Sequence, residues 1–381
     1  MRKILAILVD RANYGRMKPV LLAIQGDSDL ELEVMCTGTM VLPRFGNVVE
    51  DVVCDGFPVT SRVYMEVEGS NTTTMSKSIG LGIVQFSTEF ERISPDFILL
   101  IGDRYEALAA AISAAYMNLP IAHIQGGEVS GSIDESCRHA ITKFSHLHFP
   151  STQRAKNYLV RMGETVESVH HVGCPAGDYI MSLPNDLEFS DIAGGLGAGI
   201  DLQKPYLLVI FHPVTTHSGI RNEASELLEA LHEINMPTIW LWPNVDAGSD
   251  RISSAIRSFR EKNDPSWLYL IKHLEPEIFQ KVLKNTVCAI GNSSSFIRDS
   301  TFSGTPVVLA GDRQVGRERG ENLIEAEFTQ AGLSKAINFQ LAHGKYPISN
   351  LYGDGNASEK IVDILRKFKP RIQKTISYIQ D

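Results

Sequence analysis

Cysteine is scarce here, five residues in 381, and no two stand as a CxxC pair. That argues against a zinc ribbon or disulfide framework and fits a reducing cytoplasm. Positive charge is the minority sign: 36 Lys and Arg face 45 Asp and Glu, a formal net charge of −9. General binding of nucleic acid or anionic membrane is disfavoured, whereas a small anion held by a few local arginines is not. Long apolar runs are missing too. The run at residues 4–9 is too short for a signal-peptide core. No run approaches the roughly 18 residues of a membrane span. The chain also lacks GxGxxG, a P-loop lysine and HExxH, so dinucleotide-fingerprint, ATPase and metal chemistry are not indicated and no metal or other cofactor is expected.

What is present is ordinary globular composition, 43% apolar and 21% charged. A chain of 381 residues can bury a large core without staples and has the length of two or three domains. Short apolar runs at 4–9, 32–36, 97–101, 121–124 and 169–173 lack in–out alternation and predict buried parallel strands. Amphipathic stretches at 76–93, 106–117 and 134–144 lie between them and predict helices. The segment 182–204, with Pro184 and glycines 194, 195, 197 and 199, is a candidate linker. The rhythm then restarts, with strands expected at 206–211, 238–242, 267–271, 286–290 and 306–309 and helices at 223–232, 251–262 and 275–284. A last helix is expected at 357–368. Two doubly wound α/β domains result, 1–181 and 205–381, with the last helix a candidate to pack back on the first. Ligands of such pairs bind beyond the carboxyl ends of the strands, in the cleft between domains.

Polar residues cluster where those strands end. Asp10, Arg11 and Tyr14 follow the first; Arg11 can bind phosphate bidentately, though from this segment alone a turn with an exposed arginine is the favoured reading. Asp103 and Arg104 follow the run at 97–101, as a cleft pair or as a local ion pair at the next helix. The densest cluster is His123, Gln125, Gly126, Gly127, Glu128, Asp134, Glu135, Arg138 and His139. Its glycines allow a ligand to approach the backbone. Ser132 and Glu135 have capping-box spacing, which gives Glu135 a structural role. Asp103, Glu128 and Asp134 can supply a general acid and base.

In the second half, His212, Asn244 with Asp246, and His273 follow three successive strands. Gly291, Asn292, Ser293 and Ser294 form a glycine–serine turn into a helix carrying Arg298 and Asp299, a pattern that suits an anion or a capped helix. Arg313 and Arg317 lie on a loop that is either solvated or placed over a phosphate or base. The residues alone indicate a nucleotide-linked substrate without choosing the reaction.

The ordered set of motifs resembles the hydrolysing UDP-N-acetylglucosamine 2-epimerases, bacterial enzymes and the epimerase half of the animal bifunctional epimerase/kinase. The matching segments are 11–14, 102–104, 123–131 with 134–143, 212–216, 243–248, 291–294, 313–321 with Asn322, and 352–357. The resemblance implies a GT-B arrangement of two Rossmann-like domains. It implies elimination of UDP to a 2-acetamidoglucal, then hydration with inversion at C2, giving free N-acetylmannosamine or a related sugar for sialic or legionaminic acid. By motif position Arg11, Arg104, His212, Asn244, Ser293, Ser294, Asp299 and Arg313 resemble nucleotide contacts. Asp103 and Asp134 resemble the acid/base carboxylates, with His212 near the leaving phosphate. Gln125 stands where several relatives carry a catalytic Glu, Met40 where many carry His, and Asp299 where Glu is frequent. The family also includes enzymes of UDP- or GDP-linked 2,4-diacetamido sugars, and its members form dimers and tetramers. The alternatives are a non-hydrolysing epimerase, a GT-B glycosyltransferase and a silent sugar-nucleotide binder.

Overall fold

The structure is a computed structural model that describes residues 1–69, 71–130, 133–213, 223–243 and 248–377. The chain divides into two compact units, residues 1–179 with 352–381, and residues 180–351.

The first unit is built on six parallel strands: β1 (Arg2–Leu8), β2 (Leu30–Thr37), β3 (Val59–Val63), β4 (Phe97–Ile101), β5 (Ile121–Ile124) and β6 (Leu147–Phe149). Their spatial order is β3-β2-β1-β4-β5-β6. β4 and β5 are buried along their whole length, as expected for strands covered by helices on both faces. The second unit repeats the plan with β7 (Leu207–Ile210), β8 (Thr238–Leu241), β9 (Leu268–Ile271), β10 (Cys288–Gly291), β11 (Val307–Ala310) and β12 (Leu323–Ala326). The order β12-β11-β10-β7-β8-β9 is the same winding read from the other edge. Strand order therefore reverses direction between β1 and β4 in one unit and between β7 and β10 in the other. Those are the two points where a doubly wound sheet opens a crevice for ligand.

Several elements depart from the sequence expectation. Residues after Asp10 form a helix, Arg11–Gln25, rather than a turn, despite Pro19 inside it. Its Tyr14, Met17, Val20, Leu21 and Ile24 are buried, so tertiary packing outweighs the hydrogen bond Pro19 removes. The run at 169–173 makes a single bridge, Val169 to His148, and no strand. Residues 182–204 are no free connector: Leu196 bridges Leu270 on edge strand β9, and Tyr269 donates to the Ile192 carbonyl at 3.0 Å. A side chain at Gly197 would lie 2.2 Å from the Leu268 carbonyl oxygen, which is why glycine marks this segment. Covering β9 blunts an exposed edge. From Tyr352 the chain returns to the first unit, where Ile361 and Leu365 of helix Ala357–Lys367 join the core around Tyr14 and Met17. The Asp178 carboxylate caps that helix, accepting from the Ala357 and Ser358 amides at 2.9 and 2.7 Å. Among the described residues no helix is long and apolar enough to cross a membrane.

Candidate active site

In the first unit the polar clusters assemble at the β1/β4 reversal. Asp10 caps helix Arg11–Gln25, its carboxylate accepting the Asn13 amide proton at 2.7 Å. Asn13 in turn donates to the Ile101 carbonyl at 3.1 Å, tying the helix start to the end of β4. Arg11 is half-buried at that start. Burial lowers its pKa and the charge of Asp10 opposes the shift. Gly102 takes a φ of +79°, a turn that costs a side chain dearly. His123 holds that turn, its Nε2 lying 2.7 Å from the Gly102 carbonyl. Burial drives the His123 pKa down to about 3. The ring is therefore neutral, with its proton on the nitrogen facing that carbonyl. Asp103 follows directly.

Arg104 forms the local ion pair, and the partner is Glu106 rather than Asp103. Its Nε and Nη2 donate to the two Glu106 oxygens at 3.2 and 3.1 Å, a bidentate fork. Asp103 is held instead by Arg138, whose Nη2 donates to its carboxylate. The same guanidinium donates to the Glu128 carbonyl at 2.6 Å and the Ser130 hydroxyl at 3.2 Å. Arg138 lies on helix Ile133–Phe144, one turn after Asp134. The charges of Asp134, Asp103 and Glu106 all reach the Cys137 thiol, whose pKa rises to about 11 by burial first and these carboxylates second. The Arg138 contact thus brings the helix that carries Asp134 against the strand end that carries Asp103. Glu135 serves structure, accepting the Ser130 amide proton at 2.7 Å; its expected capping partner Ser132 lies outside the described residues.

Gln125 is buried in the left-handed region, with φ +64°. Its amide nitrogen donates to the Cys174 sulfur at 3.2 Å, and its Oε1 has no partner among the described residues. A strained, incompletely satisfied side chain of this kind is a mark of functional sites. Gly126 and Gly127 clear the protein's own atoms. A side chain at Gly127 would sit 2.4 Å from the Ala155 carbonyl oxygen, and one at Gly126 3.0 Å from His123 Nδ1. Tyr14 is wholly buried, with its hydroxyl proton donated to Asp55.

In the second unit His212 and Asn292 meet across the β7/β10 reversal. The His212 amide donates to Asn292 Oδ1, and Asn292 Nδ2 donates to the His212 carbonyl, both at 2.8 Å. Asn292 is therefore a buried lock between the ends of β7 and β10. Ser293 caps the short helix Ser294–Arg298. Arg298 donates to the Ser294 hydroxyl at 2.8 Å. Asp299 is buried and accepts from Gln280 at 3.0 Å. His273 and Arg313 are half-buried on their loops. Asn244 and Asp246 lie outside the described residues.

Comparison with known proteins identifies the family. The family model described as UDP-N-acetylglucosamine 2-epimerase matches residues 22–366. The chain belongs to the UDP-N-acetylglucosamine 2-epimerase family. It is 35% identical over 367 residues to a hydrolysing UDP-N,N'-diacetylbacillosamine 2-epimerase of Legionella pneumophila, covering 96% of both chains. It is 32% identical to a hydrolysing GDP/UDP-N,N'-diacetylbacillosamine 2-epimerase of Campylobacter jejuni, covering 86% of this chain and 84% of that one. Its fold matches the crystal structure of a Neisseria meningitidis UDP-GlcNAc 2-epimerase bound to UDP-GlcNAc, with a TM-score of 0.77 and 18% identity, over 96% of this chain and all of that one. The fold class is therefore the GT-B pair of Rossmann-like units shared with these epimerases.

For a member of this epimerase family, Glu106 is the notable addition to the sequence-derived site, and Arg138, already in its densest cluster, gains a defined partner in Asp103. Arg138 repeats Asp134 at a four-residue interval, a same-face signal on a helix. Glu106, two residues past Arg104, carried no comparable signal.

Proposed function

We propose that the protein is a hydrolysing sugar-nucleotide 2-epimerase. It converts UDP-N-acetylglucosamine, or a UDP- or GDP-linked 2,4-diacetamido sugar, to the free 2-epimeric sugar and a nucleoside diphosphate. A base takes the C2 proton as the C1–O bond to the diphosphate breaks, leaving a C1=C2 glycal. Water then adds: its hydroxyl goes to C1 and a proton to C2 on the opposite face. The observation that carries this is the Asp103 carboxylate fixed by Arg138, one turn after Asp134 on its helix, beside Arg104 at the β1/β4 reversal. Two carboxylates, one on that strand end and one on that helix, suit removal and return of a weakly acidic C–H proton, which needs positioned groups. Glu128 is the third carboxylate of this set, whereas Gln125 carries no carboxylate and takes a binding role. A departing diphosphate needs cations and donors, which Arg11 and Arg104 offer in the first unit and His212 and Arg313 in the second. Similarity to the Legionella and Campylobacter hydrolysing enzymes supports the hydrolytic outcome and the diacetamido sugar. A role in sialic or legionaminic acid supply, a cytoplasmic location and a homo-oligomeric state belong to the same proposal.

The test is a panel of UDP-N-acetylglucosamine and UDP- and GDP-2,4-diacetamido sugars, with products separated by anion exchange. Free nucleoside diphosphate and a free 2-epimeric sugar are expected from at least one. An epimerised sugar still joined to its nucleotide, or transfer requiring an acceptor, overturns the hydrolytic reading.

A further inference from the structure

Glu106 is fully buried at the β1/β4 reversal. Both its oxygens grip the Nε and Nη2 edge of Arg104, which leaves that guanidinium one orientation. The rest of the setting holds the same arrangement. The Arg104 guanidinium lies 5.0 Å from the centre of the Tyr105 ring, and Tyr105 donates its hydroxyl proton to Glu66 at 2.8 Å. Asp10 approaches Arg104 Nε at 3.9 Å. From the far side the turn after β2 closes on Glu106. Gly38 stands there with φ +58°, where a side chain would lie 2.9 Å from Glu106 Oε1 and 2.6 Å from the Val9 carbonyl oxygen. Burial raises the Glu106 pKa, Arg104 pulls it back, and Glu66 adds to the rise. A buried carboxylate is costly unless paired, so its presence points to a use.

We propose that Glu106 is a positioning residue that fixes the Arg104 guanidinium toward the anionic part of the ligand, with Gly38 providing the space. This rests on the assignment of Arg104 to the diphosphate. Glu106 touches no reacting atom and acts through Arg104. A fork of two charge-assisted hydrogen bonds orients a guanidinium far better than one contact.

A double-mutant cycle reads this directly, because residues acting as one unit are non-additive. UDP affinity is measured by calorimetry for wild type, Arg104→Ala, Glu106→Gln and the pair. Arg104→Ala is expected to weaken UDP about tenfold or more and Glu106→Gln about fivefold or more. The double variant is expected to match Arg104→Ala within about twofold. In turnover, Glu106→Gln raises KM more than it lowers kcat. Glu106→Asp keeps the charge one methylene back and replaces Glu106→Gln in the cycle if that variant does not fold by near-ultraviolet circular dichroism. Unchanged UDP affinity in the Glu106 variant overturns the proposal. So does an equal loss with and without Arg104, which marks a merely structural role. Wild-type protein that binds UDP and shows the expected cycle, yet hydrolyses no nucleotide sugar, overturns the proposed reaction and leaves this inference standing.

Discussion

The Arg138 guanidinium holds the Asp103 carboxylate across 35 residues of sequence. One side chain thus joins the end of β4 to the helix that carries Asp134. If Asp103 and Asp134 move the C2 proton, Asp103→Asn and Asp134→Asn each lose turnover by about 10²–10⁴-fold. UDP binding is retained in both. Arg138→Met leaves both carboxylates in place but unhitches Asp103, and is expected to lower kcat by roughly 10²-fold. Steady-state kinetics beside UDP calorimetry check all three, and near-wild-type kcat in either Asp variant refutes the assignment.

Asn292 stitches β10 to the His212 backbone with two hydrogen bonds. Asn292→Ala strands a buried donor and acceptor, costing about 1–3 kcal/mol of stability. It also releases His212, so UDP affinity falls. Thermal unfolding and calorimetry measure the two effects. A variant as stable as wild type with unchanged affinity shows that the lock is dispensable.

Arg313 lies on the loop after β11. If it meets the diphosphate, Arg313→Ala weakens UDP by about tenfold, a typical loss for a charge-assisted contact. Calorimetry reads it, and the affinity for uridine, which has no phosphate, stays the same. Equal UDP binding by wild type and variant removes Arg313 from the site.

Glu164 gives the first unit an acid limit. Burial alone raises its pKa, but hydrogen bonds from His148, Lys143 and Lys374 win and hold it at about 2. The two lysines stand 2.6 Å away. A depressed carboxylate contributes stability that is present above its unfolded value of about 4.3 and lost as pH falls toward the folded one. Wild-type stability therefore drops between about pH 4.3 and pH 2, and the Glu164→Gln variant drops less over that interval. His123, neutral with a pKa of about 3, adds a loss that begins below about pH 6.5, because only the unfolded ring protonates there. Melting curves of wild type and Glu164→Gln across this range decide it; parallel curves contradict the Glu164 contribution.

The strands at the centre of both sheets were legible in the sequence because full burial makes them short apolar runs. Edge strands β3 and β12 were not. Val59–Val63 carries Thr60, Ser61 and Arg62, and Leu323–Ala326 is four residues with a glutamate. Helix Arg11–Gln25 was hidden by Gly15 and Pro19, whose local cost is overcome only by packing. Strand-end clusters were legible for the site, since topology places them there. What each side chain does was less so. Asn292 and Tyr14 have ligand-binding chemistry, yet long-range partners claim their polar groups. Gly126 and Gly127 clear the protein's own atoms. The fork between Arg104 and Glu106 emerges only when β4 ends in a buried turn beside Gly38.

The most direct test is turnover in D₂O, followed by proton NMR, using whichever nucleotide sugar of the panel releases nucleoside diphosphate. Elimination and hydration predict free diphosphate and a free sugar inverted at C2 that carries deuterium there. A released sugar that retains its C2 proton and configuration contradicts the mechanism.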